Sequence, residues 1–207
     1  MESNFSIHYG QNVIKLSQND INEYAELYKL NRISKDRFSS LFVINLMLLE
    51  KVTKIDPMEV VEEIMVLEGM RHSSQTKTES EFRGGLLKGL WHKHFMPSLP
   101  STIAYNITNN LGKHGISNLV EKIFDPKKSP IITKEMIEEL SHQLIVGSME
   151  ERAEKEKLTG EWIVYAKENK YNYYLGIWKH DSGDENIAET IRSTCMPQFQ
   201  FLSKYFP

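Results

Sequence analysis

The stretch Thr159–Cys195, TGEWIVYAKENKYNYYLGIWKHDSGDENIAETIRSTC, decides how the chain is read. Residues alternate from Glu161 to Glu168, which predicts a strand with Trp162, Val164 and Ala166 on one face and Ile163 and Tyr165 on the other. Asn169-Lys170 fits a two-residue hairpin turn. The return strand, Tyr171–Lys179, sets Tyr171, Tyr173, Leu175 and Ile177 opposite Tyr174, Trp178 and His180. Large side chains on both faces call for a sheet covered on both sides. Ser182 and Glu185 then have capping-box spacing, and Ile187, Ala188, Ile191 and Cys195 form the apolar stripe of the helix they would start. His180 stands at the junction between hairpin and helix.

Working outward, helices dominate what precedes this unit. Phe5–Leu16 reads as two short extended pieces around a Tyr-Gly-Gln-Asn turn, and Ser17 as the cap of a helix carrying Ile21, Tyr24, Leu27 and Tyr28. A helix over Lys35–Thr53 is apolar almost all round, as a core helix is, and Pro57–Glu68 is amphipathic and ended by Gly69. From Arg71 to Gly85 the chain is polar and without period, which predicts a mobile loop. Leu86–Phe95 fits a short strand with Leu90, His92 and His94 on one face and Trp91, Lys93 and Phe95 on the other. Beyond Pro100, amphipathic patterns predict helices whose Leu119, Val120, Ile123 and Phe124, and then Ile137, Leu140, Leu144 and Ile145, point inward. The fold class is therefore α+β, in one domain. A mostly helical N-terminal two-thirds packs on a small, largely antiparallel sheet with a C-terminal β-hairpin and helix. The sheet is built from Glu161–Lys179, with Leu86–Phe95 or Asn12–Leu16 alongside.

Composition excludes several functional classes. The 207 residues carry 25 Lys and Arg against 28 Asp and Glu, a formal net charge of -3. That balance gives no global case for nucleic-acid or membrane binding. The most apolar run, Leu41–Leu49, spans nine residues, whereas a membrane span needs about 20. The single cysteine, Cys195, excludes an intramolecular disulfide and any multi-cysteine metal site. With no signal-peptide pattern at Met1–Leu16, a cytoplasmic protein is expected. P-loop, dinucleotide-binding, nucleophile-elbow and H-E-x-x-H motifs are absent from the sequence.

Three features carry chemistry. His92-x-His94 on a strand puts two imidazoles on one face about 7 Å apart, which suits proton transfer or metal ligation. A metal would need His180, Asp181 or Asp184 as further ligands, at no fixed spacing, so neither metal nor cofactor is assigned. Residues 71–100 are locally basic, with Arg71, Lys77, Arg83, Lys88 and Lys93 against Glu79 and Glu81. Histidines beside cations and aromatic rings are what a metal-independent ribonuclease needs: a proton acceptor, a proton donor, and a charge to stabilise the phosphorane. His92, His94 and His180 are thus the candidate catalytic residues. Arg83, Lys88, Trp91 and Tyr174 are the candidate substrate-binding residues.

Helices followed by an antiparallel hairpin with a terminal histidine are also loosely similar, over the C-terminal third, to small toxin-type ribonucleases of bacteria. The resemblance is one of arrangement, without a shared motif, and implies scattered His, Lys, Arg and Tyr residues acting without metal. The expected function is an RNA-directed, toxin-like nuclease. The alternative is a non-catalytic protein-binding module, such as an immunity or antitoxin-like protein, whose acidic balance suits a basic partner.

Overall fold

The computed structural model describes residues 4–9, 12–97, 99–155, 157–158 and 160–206. In chain order it begins with the hairpin β1 (Asn4–Tyr9) and β2 (Asn12–Ser17), then α1 (Gln18–Leu27), α2 (Leu30–Ile33), α3 (Ser40–Leu48) and α4 (Met58–Leu67). Next come β3 (Ser80–Glu81) and β4 (Trp91–Phe95), followed by α5 (Pro100–Leu111), α6 (Gly115–Ile123), α7 (Lys134–His142) and α8 (Ser148–Glu154). The chain closes with β5 (Glu161–Glu168), β6 (Tyr171–Trp178) and α9 (Asp184–Thr194). About 51% of the protein is helical and 18% strand, a mixed α+β fold. Gly10 and Gln11 of the expected N-terminal turn, and Thr159 at the head of the hairpin unit, lie outside the described residues.

One antiparallel sheet runs in the order β3-β4-β5-β6, while β1 and β2 form a separate pair. Trp91–Phe95, and not Asn12–Leu16, is therefore the strand beside the hairpin. Asn169 and Lys170 take positive φ, 50° and 70°, as the tight turn between β5 and β6 demands. A bulge between Val164 and Tyr165 breaks the register: Val164 pairs with Gly176, but Tyr165 pairs with Tyr174. An extra residue inverts which face the following side chains take. Ile177 consequently packs with Ile163 and Tyr165, and Trp178 with Trp162 and Val164. Plain alternation had put Ile177 with Leu175, and Trp178 with Tyr174.

The outer edge of β6 is closed by the chain leading into α3 and by α3 itself. Tyr174 donates its N–H to Arg37 O at 2.8 Å, Ser39 N–H donates to Tyr174 O at 2.9 Å, and Ile177 N–H donates to Asn45 Oδ1 at 2.9 Å. A covered edge leaves no template for intermolecular pairing. It also moves the helix start. Arg37–Ser39 are spent on the sheet, so the helix expected from Lys35 begins at Ser40, with Ser39 Oγ accepting from Phe42 N–H.

Both sheet faces are covered. On one, Phe95, Ile163, Tyr165, Tyr174 and Ile177 pack against α3 and α4 through Phe42, Leu46, Val60 and Ile64, and α1 packs on α3 in turn. On the other, Val164, Ala166 and Leu175 meet Ile187, Ile191 and Cys195 of α9 and the aromatic C-terminal segment. Fully buried side chains of this size contribute about 1.5–3 kcal/mol each. The second face also seats Cys195, whose Sγ lies 3.4 Å from Leu175 O and whose thiol pKa burial pushes up, so it is a core residue. The expected Ser182 cap is displaced by one residue: Gly183, with φ of 78°, precedes α9 without a side-chain cap.

Segment 96–160, which holds α5 to α8, joins two neighbouring antiparallel strands. Its packing differs from the rest of the molecule. No apolar side chain between 100 and 155 is buried; the buried residues there are Thr102, Asn106, Ser148 and Arg152. Arg152 Nε donates to Asn106 Oδ1 at 3.0 Å, and Asn106 Nδ2 donates to Thr102 O at 3.0 Å. Ile137 and Ile145, expected to face the core, are about half exposed, and Leu119, Val120, Ile123 and Phe124 are only partly buried. The stretch 71–85 is not structureless: it carries β3, a bridge from Thr76 to Leu158, and bonds to Lys93.

Candidate histidine site

The sheet end where β4 finishes and β5 begins carries the three expected histidines. Pairing of β4 with β5 sets His92 opposite Val164 and His94 opposite Trp162, and Trp162 in turn opposite Trp178. The bulge in β6 brings Trp178, and His180 two residues on, round to this same face. Without it His180 would follow Tyr174 to the other side. His94 and His180 stack with ring centroids 5.0 Å apart, and His92 meets His94 edge-on at 5.4 Å. Trp162 lies 4.4 Å from His180 and 5.2 Å from His92, and Phe82 covers His92 at 4.5 Å.

Gly160 fixes the inner ring. Its carbonyl lies 3.2 Å from His94 Nδ1, and a carbonyl can only accept, so that nitrogen carries the proton. The same Nδ1 is 3.3 Å from His180 Nε2, and the Gly160 carbonyl also accepts from His180; Nε2–H donating to that carbonyl leaves His180 Nδ1 as the lone pair free to take a proton. Only glycine fits at 160, since a Cβ there would lie 2.0 Å from Phe95 O. His92 Nε2 turns to Ser80 Oγ at 3.1 Å, while its Nδ1 and the Trp162 indole N–H are buried with no partner among the described residues.

Burial sets the charge state. It pushes His92 down to about 4 and His94 to about 3, helped by the other imidazoles and by Lys77. His180 is lowered as well, chiefly by burial and then by Lys77, against partial support from Gly160 and Asp181. All three rings are neutral at pH 7. Glu161 moves the other way: burial raises its carboxyl, partly offset by the His180 N–H, which donates to Glu161 Oε2 at 3.2 Å, and by Lys179.

His180 also faces solvent. A cleft of about 400 Å³ opens beside it, between the start of α5 and the sheet end, lined by Ser101, Tyr105, Glu161, Lys179, His180 and Asp181 among others. His94, 4% exposed, stands behind His180 and does not line the cleft. The four expected substrate-binding residues fare differently. Tyr174 is fully buried on the opposite face, its hydroxyl donating to Glu68 Oε1 at 2.7 Å. Trp91 also faces away, beneath Lys167 Nζ at 3.6 Å from its ring. Both are removed from the histidines by strand parity. Arg83 and Lys88 are exposed, and neither lines the cleft.

Trp162, Phe82, Glu161 and Tyr105 join the site without having been singled out, and Lys77, named only within the basic stretch, acts on the rings through its charge. Trp162 was discoverable, since it pairs with His94 once β4 and β5 are set antiparallel. Nothing in the sequence around Tyr105 marks it. Among the described residues, no group of three or more His, Cys, Asp or Glu side chains is arranged to hold a metal ion, and no helix is long and apolar enough to cross a membrane. No protein-family model, no curated protein and no solved structure matches this chain. Fold and site alone define its class: an α+β protein with three neutral imidazoles in a row at one end of a doubly covered sheet.

Proposed function

We propose that the protein is an RNA-directed nuclease in which His180 and Glu161 transfer protons and His94 positions His180. Neutral His180 takes the proton of a 2′-hydroxyl as its oxygen attacks the adjacent phosphorus. The P–O5′ bond breaks, and the Glu161 carboxyl gives a proton to the departing 5′-oxygen. The products are a 2′,3′-cyclic phosphate and a 5′-hydroxyl, and a proton returned from His180 to Glu161 restores the site. Positioned acid–base groups of this kind are worth about 10²–10⁴ in rate. The nucleophile comes from the RNA, so the chemistry calls on no group beyond these side chains and a nearby cation.

The observation carrying this proposal is that His180 lines the cleft while its Nε2 sits 3.3 Å from buried His94. A ring held from behind and open in front is preorganised for proton transfer. The test is cleavage of a short RNA by purified protein in the presence of a chelator. Wild type is expected to cleave, and His180→Ala to lose about a hundredfold or more. No cleavage, or equal cleavage by the variant, would end the nuclease proposal.

One observation favours the alternative, a non-catalytic protein-binding module of the immunity or antitoxin type. Ile116, Ile131, Ile132, Ile137 and Ile145 are each about half exposed or more along segment 100–155. Apolar side chains concentrated on one segment are what a partner surface requires.

A further inference from the structure

We infer that Tyr105 is a base-stacking residue of the cleft beside His180, with Lys179 as the cation, so that the site takes single-stranded chains. This rests on the proposed function for the ribose and the cut. The binding of a base-bearing nucleotide stands on the cleft itself.

The two walls of the cleft come from different parts of the chain. Glu161, Lys179, His180 and Asp181 stand at the sheet end, and Ser101, Thr102 and Tyr105 on the first turns of α5. Thr102 and Asn106, one helical turn apart, are buried. Ser101 and Tyr105 have the same spacing and form the neighbouring stripe, which borders the cleft. Helical side chains lean toward the N-terminus, which lays the Tyr105 ring over the turn of Ser101. Arg152 ties the walls together. Its Nε donates to Asn106 Oδ1 at 3.0 Å, and its guanidinium also donates to Lys157 O, just ahead of β5.

Tyr105 is 57% exposed and has no ring contact and no hydrogen bond among the described residues, feeling only the charge of Arg152. Tyr171, exposed to the same degree at 56%, is covered by Arg37 at 5.0 Å from its ring centroid. An aromatic face left bare in a cleft gains by stacking on another planar ring, and any unpaired nucleobase offers one. Lys179 is exposed, lines the same cleft and supplies a positive charge for the phosphate that joins base to base. Asp181 opposes that phosphate, and Glu161 less so, because burial moves its carboxyl toward the neutral form. The volume, about 400 Å³, falls within the range of small-ligand sites, about 300–1,000 Å³. It admits a nucleotide with its base unstacked, and not a duplex whose bases are already paired.

The experiment is an NMR titration of the Tyr105 and His180 rings in wild type, Tyr105→Phe and Tyr105→Ala. The probes are a non-cleavable 2′-deoxy dinucleotide and, separately, ribose 5-phosphate, which has no base. Tyr105 is exposed, and an unchanged urea midpoint checks that the variants fold. The dinucleotide is expected to bind wild type and Tyr105→Phe equally and Tyr105→Ala about tenfold more weakly, the loss of one stacked base. Ribose 5-phosphate is expected to bind all three alike, and a Lys179→Gln variant more weakly. In RNA cleavage, Tyr105→Ala is expected to raise KM and leave kcat nearly unchanged, as a loss of uniform binding does. Equal dinucleotide binding by wild type and Tyr105→Ala, or none by wild type, overturns the inference. Tyr105-dependent dinucleotide binding without RNA cleavage keeps this site and removes the nuclease proposal; cleavage whose KM is indifferent to Tyr105→Ala does the reverse.

Discussion

Lys93 is 3% exposed and His94 is 4% exposed, and they are neighbours on β4 pointing to opposite faces of the sheet. Lys93 keeps its charge company: Glu63 Oε2 lies 3.0 Å away, and three more oxygens complete the shell. His94 has, among the described residues, a carbonyl and two other imidazoles beside it but no carboxylate, and gives up its charge instead. A buried ionisable group is tolerated when paired or when neutral. One strand uses both solutions, an ion pair beside segment 74–77 on one face and neutral rings on the other.

Breaking the ion pair should have the largest effect on stability. Lys93→Ala leaves Glu63 buried and unpaired, at a cost of about 3–5 kcal/mol, read from urea unfolding. A Lys93→Met, Glu63→Leu double variant should recover most of that loss, because it buries no charge. A double variant as unstable as Lys93→Ala would mean that the knot matters for its shape and not for its charge.

The histidine face should show itself in pH dependence. His92 and His94 titrate near 4 and 3 in the folded protein against 6.5 ordinarily, so the unfolded chain takes up their protons first as acid is added. Their contribution to stability is complete above about pH 6.5 and is lost as pH falls toward 4 and then 3. The urea midpoint of wild type should therefore decline across that window, and more shallowly in a His94→Leu variant. Parallel declines would show that these rings are not held neutral by burial.

The smallest effect is expected in segment 100–155. Ile145→Glu adds a charge at a position 49% exposed and should change stability by no more than about 0.5 kcal/mol. Ile163→Ala, in the closed core, should cost about 2–5 kcal/mol. A large loss at Ile145 would mean that the segment is covered in solution, as the protein-binding alternative requires.

These contrasts also mark where the sequence was legible. The hairpin was, because β5 alternates cleanly and its turn residues tolerate positive φ. So was the shared face of His92 and His94. The bulge at Leu175 was not, because two residues facing one leave no trace in an apolar run. That single insertion decides which side Trp178 and His180 join. Nor did β4 reveal that Glu63, 30 residues earlier, would meet Lys93; alternation gives a face but not the neighbour across it. In α7 the pattern of Ile137 and Leu140 correctly marks one apolar side, but periodicity does not say that anything covers it. Tyr174 looked like a ring free to stack on a base, yet it is core, because α3 and the Arg37–Ser39 edge close over it.

The most direct test of the proton-transfer centre is the chemistry of the cut ends. An RNA oligonucleotide, and the same oligonucleotide with one 2′-deoxy position at the cleaved step, should be incubated with the protein in chelator and the fragments weighed by mass spectrometry. The expected result is a 2′,3′-cyclic phosphate and a 5′-hydroxyl from RNA, with no cut at the 2′-deoxy position. Cleavage at the 2′-deoxy position would contradict a mechanism in which His180 activates the 2′-hydroxyl.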